Sequence, residues 1–387
     1  MDRRNFIQLL GFGAGATVFS SALVGCSSEP QTELYGWAGP ESTLEDIRLK
    51  VISYAILAPN PHNKQPWIVK LIDPLSFDLY VDPDRLLPAT DPYHRQIHIG
   101  QGTFLETARI AASGLGYKAD IEYFPQGQYA NTELQNRPVA RVTLQQSAGI
   151  SPDPLFGQLL KRSSNKRDYD QVALTAAEQI ELQQFNADTS DSTLVFKSSP
   201  KDQKQLSDWL TQAMQIEVGN KERDAETIAM FRVNDAEVAK YRDGFGVAQS
   251  GMSGIKKTIA ETFFLSREKM EKDPTDFGNQ AVDMTKSQSE SAATFALMIT
   301  KNNQRIDQVK IGQAYCRMNL QTTAMGLAQH PMSQILQEYK DMLPMQKTFL
   351  KHYNIAEGDT VQMLFRLGRA EPVKHSARRA VQSIVQV

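Results

Sequence analysis

The triplet Ile99-Gly100-Gln101 recurs as Ile311-Gly312-Gln313, an offset of 212 residues. At the same offset Gln96 matches Gln308, Ala112 matches Ala324, and Gly114-Leu115 matches Gly326-Leu327. Both stretches favour helix and end in a Gly-Leu pair. Similarity at a fixed long offset predicts two copies of one folding unit in a single chain. The plain alternative is chance likeness between two amphipathic helices. A chain of 387 residues has room for two or three domains and for sizeable cores. The boundary between copies is placed near Ser151, giving a first half of 42–150 and a second of 151–387.

Within each half the residue pattern predicts mixed elements. Ser42-Thr43-Leu44-Glu45 has the form of a capping box, and Leu44, Ile47, Val51 and Tyr54 recur at helical spacing. That helix must stop near Ala58, because Pro59 and Pro61 cannot continue it. Strands are predicted over 67–72, 77–81, 119–124 and 139–144, with a helix over about 100–115 between the two pairs. Thr175-Ala176-Ala177-Glu178 opens another helix, and 194–196 and 361–367 read as strands. Residues 218–295, rich in charge, Met and Gly, are expected to be helices with loops that close over a site as a lid.

The N-terminus reads as an address. Arg3-Arg4 with Phe6 and Ile7 fits a twin-arginine export signal. The following apolar run is short, broken by Gly11, Gly13 and Gly15, and ends in Leu23-Val24-Gly25-Cys26, which is similar to a lipoprotein processing box. Residues 1–26 are therefore expected to be removed, with Cys26 carrying a lipid that anchors the protein to the membrane on the periplasmic side. A plain signal peptide, or a single membrane anchor with a chance cysteine, is the alternative. Residues 27–41 suit a tether. Twin-arginine export carries folded proteins, which favours a cofactor bound before export. With 42 Lys+Arg against 44 Asp+Glu, nothing argues for nucleic acid or an anionic membrane as a bulk partner. Two cysteines, Cys26 and Cys316, give no disulfide framework.

The most distinctive stretch is Ala58-Pro59-Asn60-Pro61-His62-Asn63-Lys64-Gln65-Pro66-Trp67. It resembles the segment of the nitroreductase family in which Ala-Pro, small polar residues and Asn precede Gln-Pro-Trp after the first long helix. Asp91-Pro92, Arg95-Gln96 and the stretch to Gly116 are similar to the exported, duplicated branch called Acg-like. Arg162-Ser163-Ser164-Asn165-Lys166-Arg167 resembles that family's Arg-x-Ser-x-Lys/Arg flavin motif. His330-Pro331-Met332-Ser333-Gln334 falls where the family has a proline-containing loop along the flavin edge, and Arg378-Arg379 where it has basic residues on the phosphate. The likeness runs over nearly all of 42–387 and is weak over 218–295.

The resemblance implies an α+β fold with two nitroreductase-like halves fused as a pseudo-dimer, each a small, mainly antiparallel sheet flanked by helices. It implies an FMN oxidoreductase that reduces small electrophiles, nitro compounds or quinones, by two-electron ping-pong chemistry. The alternative is a protein that holds flavin under its lid without turnover. Gln-Pro-Trp stands only in the first half and Arg-x-Ser-x-Lys only in the second, so one FMN per chain and a monomer are expected. Arg162, Ser164, Arg378 and Arg379 are assigned by the resemblance to the phosphate dianion, which suits bidentate cations and hydroxyl donors. Lys166 is assigned to the flavin's anionic edge, Asn63 to its pyrimidine edge, Pro59, Asn60 and Pro61 to the ring, and the backbone N–H groups of Met332 and Ser333 to N5. Asn60 and Pro61 replace small hydroxyl residues usual in the family. Read without the resemblance, Arg162–Arg167 is a solvated basic turn rather than a site, and Trp67 a core anchor. The electron donor is left open between NAD(P)H, a quinol and a partner protein, since nicotinamides are scarce outside the cytoplasm.

Three other features carry no chemistry on inspection. His94 and His98 have helical metal spacing but no completing carboxylate or cysteine. Ser250-Gly251-Met252-Ser253-Gly254 lacks the spacing of a hydrolase elbow, and Gly11–Gly15 lacks a preceding strand.

Overall fold

The computed structural model describes residues 35–147, 149–251, 257 and 266–386. The expected signal peptide with Cys26, and residues 27–34 of the expected tether, lie outside the described residues. The first half runs α1 (Ile47–Ala55), β1 (Trp67–Asp73), β2 (Ser76–Val81), α2 (Arg95–Gly114), β3 (Tyr117–Tyr123) and β4 (Ala140–Gln146). The second runs α3 (Ala176–Thr189), β5 (Thr193–Lys197), α4 (Pro200–Val218), α5 (Lys221–Met230), α6 (Asp235–Tyr241), α7 (Arg267–Lys272), α8 (Pro274–Glu290), β6 (Thr294–Thr300), α9 (Arg305–Ala324), β7 (Ala328–Pro331), α10 (Leu343–His352) and β8 (Thr360–Gly368). A last short strand, β9 (Val385–Gln386), follows.

The two sheets have the same order. The first is β3-β4-β2-β1 and the second β7-β8-β6-β5, each antiparallel, so β1 to β4 correspond to β5 to β8 in turn. The fold is α+β and duplicated. The copies differ at one junction: β1 and β2 meet in a tight hairpin, whereas α4 to α8 are inserted between β5 and β6. That insertion begins before residue 218 and ends before Thr294, because Thr294–Thr300 is already a strand. Its first five residues are all buried, so no alternation marked it as one. β9 then crosses back and adds to β1 in parallel, with Val69 opposite Val385.

Symmetry resets the register of the repeat. α2 and α9 start and end 210 residues apart, not 212, and each is followed by a left-handed glycine, Gly116 at φ +82° and Gly326 at φ +69°. The matched Gly-Leu pairs are therefore not equivalent, since Gly114 ends α2 while Gly326 lies beyond α9. What the helices share is a crossing point. A Cβ on Gly102 would lie 1.9 Å from the Val309 carbonyl oxygen, and one on Gly312 would lie 2.0 Å from that of Ile99. Only glycine at both positions lets the backbones meet. Arg95 and Arg305 occupy another equivalent pair, both fully buried, and each reaches into the other half. Arg95 donates to Leu336 O and to Gln362 O at 3.0 Å; Arg305 donates to Tyr93 O at 2.8 Å and Glu133 O at 2.6 Å.

Local chemistry sets the helix ends. The Thr175–Glu178 capping box forms as expected. The box at Ser42 does not: α1 starts later, because Asp46 caps it by accepting from the N–H of Arg48 at 2.8 Å. The cap of α2 is supplied from outside, by Asp91 accepting from Gln96 N at 3.1 Å and Ile97 N at 2.9 Å. Trp67 is fully buried beside Phe104 and is a core anchor.

Candidate functional site

Pro59 and Pro61 end α1 and throw the chain into a strained loop. His62, Asn63 and Gln65 have φ of +52°, +51° and +52°. Such non-glycine backbone costs about 1–3 kcal/mol per residue and persists only where its surroundings fix it. Here the fixing is explicit. Asn60 donates to Ala58 O at 3.1 Å and accepts from Gln65 N at 2.8 Å. The Asn63 amide donates to Gly244 O at 2.9 Å and Ala377 O at 3.0 Å, and its oxygen accepts from Arg378. Asn63, expected to offer its amide to a pyrimidine edge, thus has donors and acceptor engaged within the protein. It binds loop, insertion and C-terminal tail together.

A cavity of about 340 Å³ lies beside this loop, lined by residues of both halves and of the insertion. It collects Pro59, Asn60, Pro61, Asn63, Arg162, Ser164, Lys166, Met332, Ser333 and Arg378. Arg379, expected beside them, does not border it. Its guanidinium donates to Gln65 O at 3.0 Å and Ser383 O at 2.9 Å and pairs with Asp82 at 3.4 Å. Of the two adjacent arginines only Arg378 borders the cavity.

Arg162 and Arg378 converge. Arg162 donates to Leu57 O at 2.9 Å and Asn319 Oδ1 at 3.1 Å; Arg378 donates to the same Leu57 O at 3.2 Å and to Ser376 Oγ at 2.7 Å. Both guanidiniums lie over the Trp37 ring, 5.6 and 5.2 Å from its centroid, and His375 stacks on that ring at 3.9 Å. They are 4% and 3% exposed, and among the described residues no carboxylate pairs with either. Burial pulls the Arg162 pKa down; burial and the Arg162 charge pull that of Arg378 down further. An arginine keeps its proton regardless, so the unfavourable burial becomes a demand for an anion.

Lys166 is half-buried with its ammonium 4.1 Å from the centroid of the Phe245 ring. Burial, with Arg366 nearby, pushes its pKa down to about 8. Burial likewise holds His62 near 4 and His330 well below the usual range, so both are neutral. His330 Nδ1 accepts from Arg366 at 3.2 Å across β7 and β8. The Met332 N–H, expected to point at a ligand, donates to Leu364 O at 2.8 Å because it continues the β7–β8 ladder. Ser333 keeps a buried hydroxyl without a partner.

The insertion forms the opposite wall through Asp224, Thr227, Phe231, Phe245 and Phe277 among others. It is fastened to the first half. Glu226 accepts from Ala89 N at 2.8 Å and from Thr90 N and Oγ1 at 3.0 Å, and Asp243 pairs with both Arg85 at 2.8 Å and Arg232. Buried polar atoms without partners gather on this cavity: Gln96 Nε2, Asp224 Oδ1, Ser333 Oγ, Gln334 Oε1 and Arg378 Nε. Proteins rarely leave such atoms unpaired, and their concentration at one place marks a site for a polar ligand.

No family profile matches the chain. Among curated proteins, one of Mycobacterium tuberculosis named "Putative NAD(P)H nitroreductase Rv3131" is 36% identical over 75 residues, which are 19% of this chain and 22% of that protein. Another, "Putative NAD(P)H nitroreductase acg" of the same organism, is 35% identical over 80 residues, 21% of this chain and 24% of that protein. Over this stretch the chain is a sequence relative of proteins named nitroreductase. The match spans under a quarter of those relatives' length. Among solved structures, NfnB of Mycobacterium smegmatis in complex with NADPH aligns at 12% identity, 59% of this chain and 94% of that one, with a TM-score of 0.36. A Bacteroides fragilis nitroreductase with bound FMN aligns at 11%, 59% and 96%, with a TM-score of 0.34. Overlays at such scores decide nothing about the site.

Several residues around this cavity were not legible in advance. Trp37 falls in the expected tether but is 7% exposed, and its indole N–H donates to Ser376 O at 2.9 Å. A tryptophan in an otherwise small and polar stretch was the available signal. Tyr315, Asp224 and Phe245 line the cavity from elements whose sequence pattern gave no reason to choose them.

Proposed function

We propose that the chain binds one FMN in this cavity and acts as an oxidoreductase of nitroreductase type, passing two electrons in ping-pong fashion to small electrophiles such as nitro compounds or quinones. The observation that carries this is the pair of buried, uncompensated guanidiniums, Arg162 and Arg378, in a cavity with orphaned polar atoms. These residues fit the cofactor. The guanidiniums suit a phosphate dianion, with the unengaged hydroxyl of Ser164 at hand. FMN, when bound, supplies hydride acceptance and donation. Lys166 places positive charge in the cavity, which favours an anionic reduced ring. Phe231, Phe245 and Phe277 exclude water, and Pro59, Asn60 and Pro61 present a rigid wall.

The fate of the symmetry-related positions supports one cofactor per chain. Ile99, Thr103 and Tyr315 border the cavity, while their counterparts Val309, Gln313 and Leu105 do not. Val309 and Leu105 are fully buried in the first core, and Gln313 accepts from Tyr123 at 2.7 Å and donates to Glu106.

The names of the relatives favour NAD(P)H as donor. Export with a lipid on Cys26, which we also propose from the sequence, favours a quinol or a partner protein. The fastened insertion supports a second reading, a protein that holds flavin without turnover. Anaerobic reduction of the purified flavoprotein followed by nitroaromatic or quinone addition separates the two. Reoxidation within seconds supports the oxidoreductase, and flavin that stays reduced supports the holding protein.

A further inference from the structure

The cavity is electrically two-ended. Arg162 and Arg378 mark one end, at Leu57. Against α5 the chemistry reverses. Asp224, Thr227 and Phe231 follow one another at i, i+3 and i+7 and all border the cavity. The bonds from Glu226 to Thr90, and from Asp91 to Gln96, bring Asp91 and Gln96 to the same end. Asp224 is 4% exposed, its Oδ1 has no hydrogen-bond donor, and among the described residues it pairs with no lysine or arginine. Its neighbour Arg223 turns away to Asp341 and stacks on Tyr339. Gln96, 8% exposed, likewise leaves its Nε2 unpaired. Phe231 and Phe277 stand 5.4 Å apart at 73°, edge to face, and both border the same cavity as Asp224.

A buried carboxylate with no cation is costly, and aromatic rings add attraction for positive charge. We propose that this end is the electron-acceptor subsite and that it takes a flat aromatic cation, with Asp224 as the anchoring carboxylate and Phe231 and Phe277 as its walls. A neutral acceptor can satisfy Oδ1 with one hydrogen bond but leaves the charge unpaired. An anionic acceptor is repelled by Asp224. The inference rests on the oxidoreductase reading above and names the substrate class of that site.

The test is equilibrium dialysis of the purified, oxidised protein with three probes of one shape: N-methylphenazinium, phenazine and phenazine-1-carboxylate. The expected order is cation, neutral, anion, with the cation bound about tenfold or more tighter than phenazine. In Asp224→Asn that ratio falls to about twofold or less, since only the charge is removed, while Asp224→Glu retains it. Equal binding of the three probes by the unmodified protein, or an unchanged ratio in D224N of unaltered melting temperature, overturns the proposal. Flavin is quantified in the same samples. Its absence defeats the oxidoreductase reading, whereas flavin without a preference for the cation defeats this inference alone.

Discussion

Arg162 and Arg378, 216 residues apart in sequence, both donate to the carbonyl of Leu57. Two guanidiniums on one carbonyl, under one tryptophan and without a paired carboxylate among the described residues, repel each other in a dry place. The arrangement is stable only because the halves, loop and tail lock it: Asn63 bonds Arg378, and Asn319 bonds Arg162. A dianion seated between them turns this repulsion into attraction.

Arg378→Met should therefore act in opposite directions on the two forms of the protein. Without flavin it removes an uncompensated charge and raises the melting temperature. With FMN it removes a charge-assisted hydrogen bond of about 1.5–3 kcal/mol, so affinity falls roughly 10- to 150-fold. Calorimetry and flavin titration of both forms check the sign. A drop in both forms would show that the arginine is structural.

Glu226 is one fastening of the insertion, its carboxylate accepting three hydrogen bonds from Ala89 and Thr90. Glu226→Ala removes bonds to a charged group, each contributing about 1.5–3 kcal/mol. It should speed release of bound flavin by about tenfold or more. Stopped-flow dilution into a flavin scavenger reads the rate, and an unchanged rate means that the insertion does not limit release.

Glu217 gives the pH dependence. Burial pushes its pKa up from 4.5 to about 7, with Arg223 opposing. A raised folded pKa means stability that is complete below the unfolded value and is lost as pH rises through about 7. The loss is on the order of 3 kcal/mol. Glu217→Gln, which stays neutral, should remove this decline between pH 5 and 8 in melting experiments. A decline of the same size in the variant would assign it to another group.

The helix crossing is the least tolerant point of the fold. Gly102→Ala places a methyl 1.9 Å from Val309 O, and Gly312→Ala places one 2.0 Å from Ile99 O. Each should cost several kcal/mol, about 3 or more, in denaturant unfolding, because backbone on both sides must move. Gly116→Ala, with nothing within 4 Å of its Cβ but a φ of +82°, should cost only about 1 kcal/mol.

Much of this was written in local sequence. The prolines at 59 and 61 stop α1, alternation marks the strands of the first sheet, and Thr175–Glu178 sets the start of α3. Duplication was visible too, but its register was not. The Ile-Gly-Gln triplets align by composition, while the contact that matters is between Gly102 and Gly312, which no local pattern singles out. The expected residues border the cavity where a motif concentrates them, as at 162–166, and turn to protein partners where those lie far off in sequence. Asn63 is claimed by Gly244 and Ala377, Met332 by Leu364 and Arg379 by Asp82. Trp37 and Asp224 function by what folds against them, and neither carries that information in its neighbours.

A single flavin held by converging arginines is tested by measuring the flavin released per chain from the purified protein after incubation with excess FMN. One equivalent is expected, with an absorbance spectrum like that of bound FMN, and near-complete loss in the Arg162→Ala, Arg378→Ala double variant. No flavin in the unmodified protein, or full retention in the double variant, would contradict it.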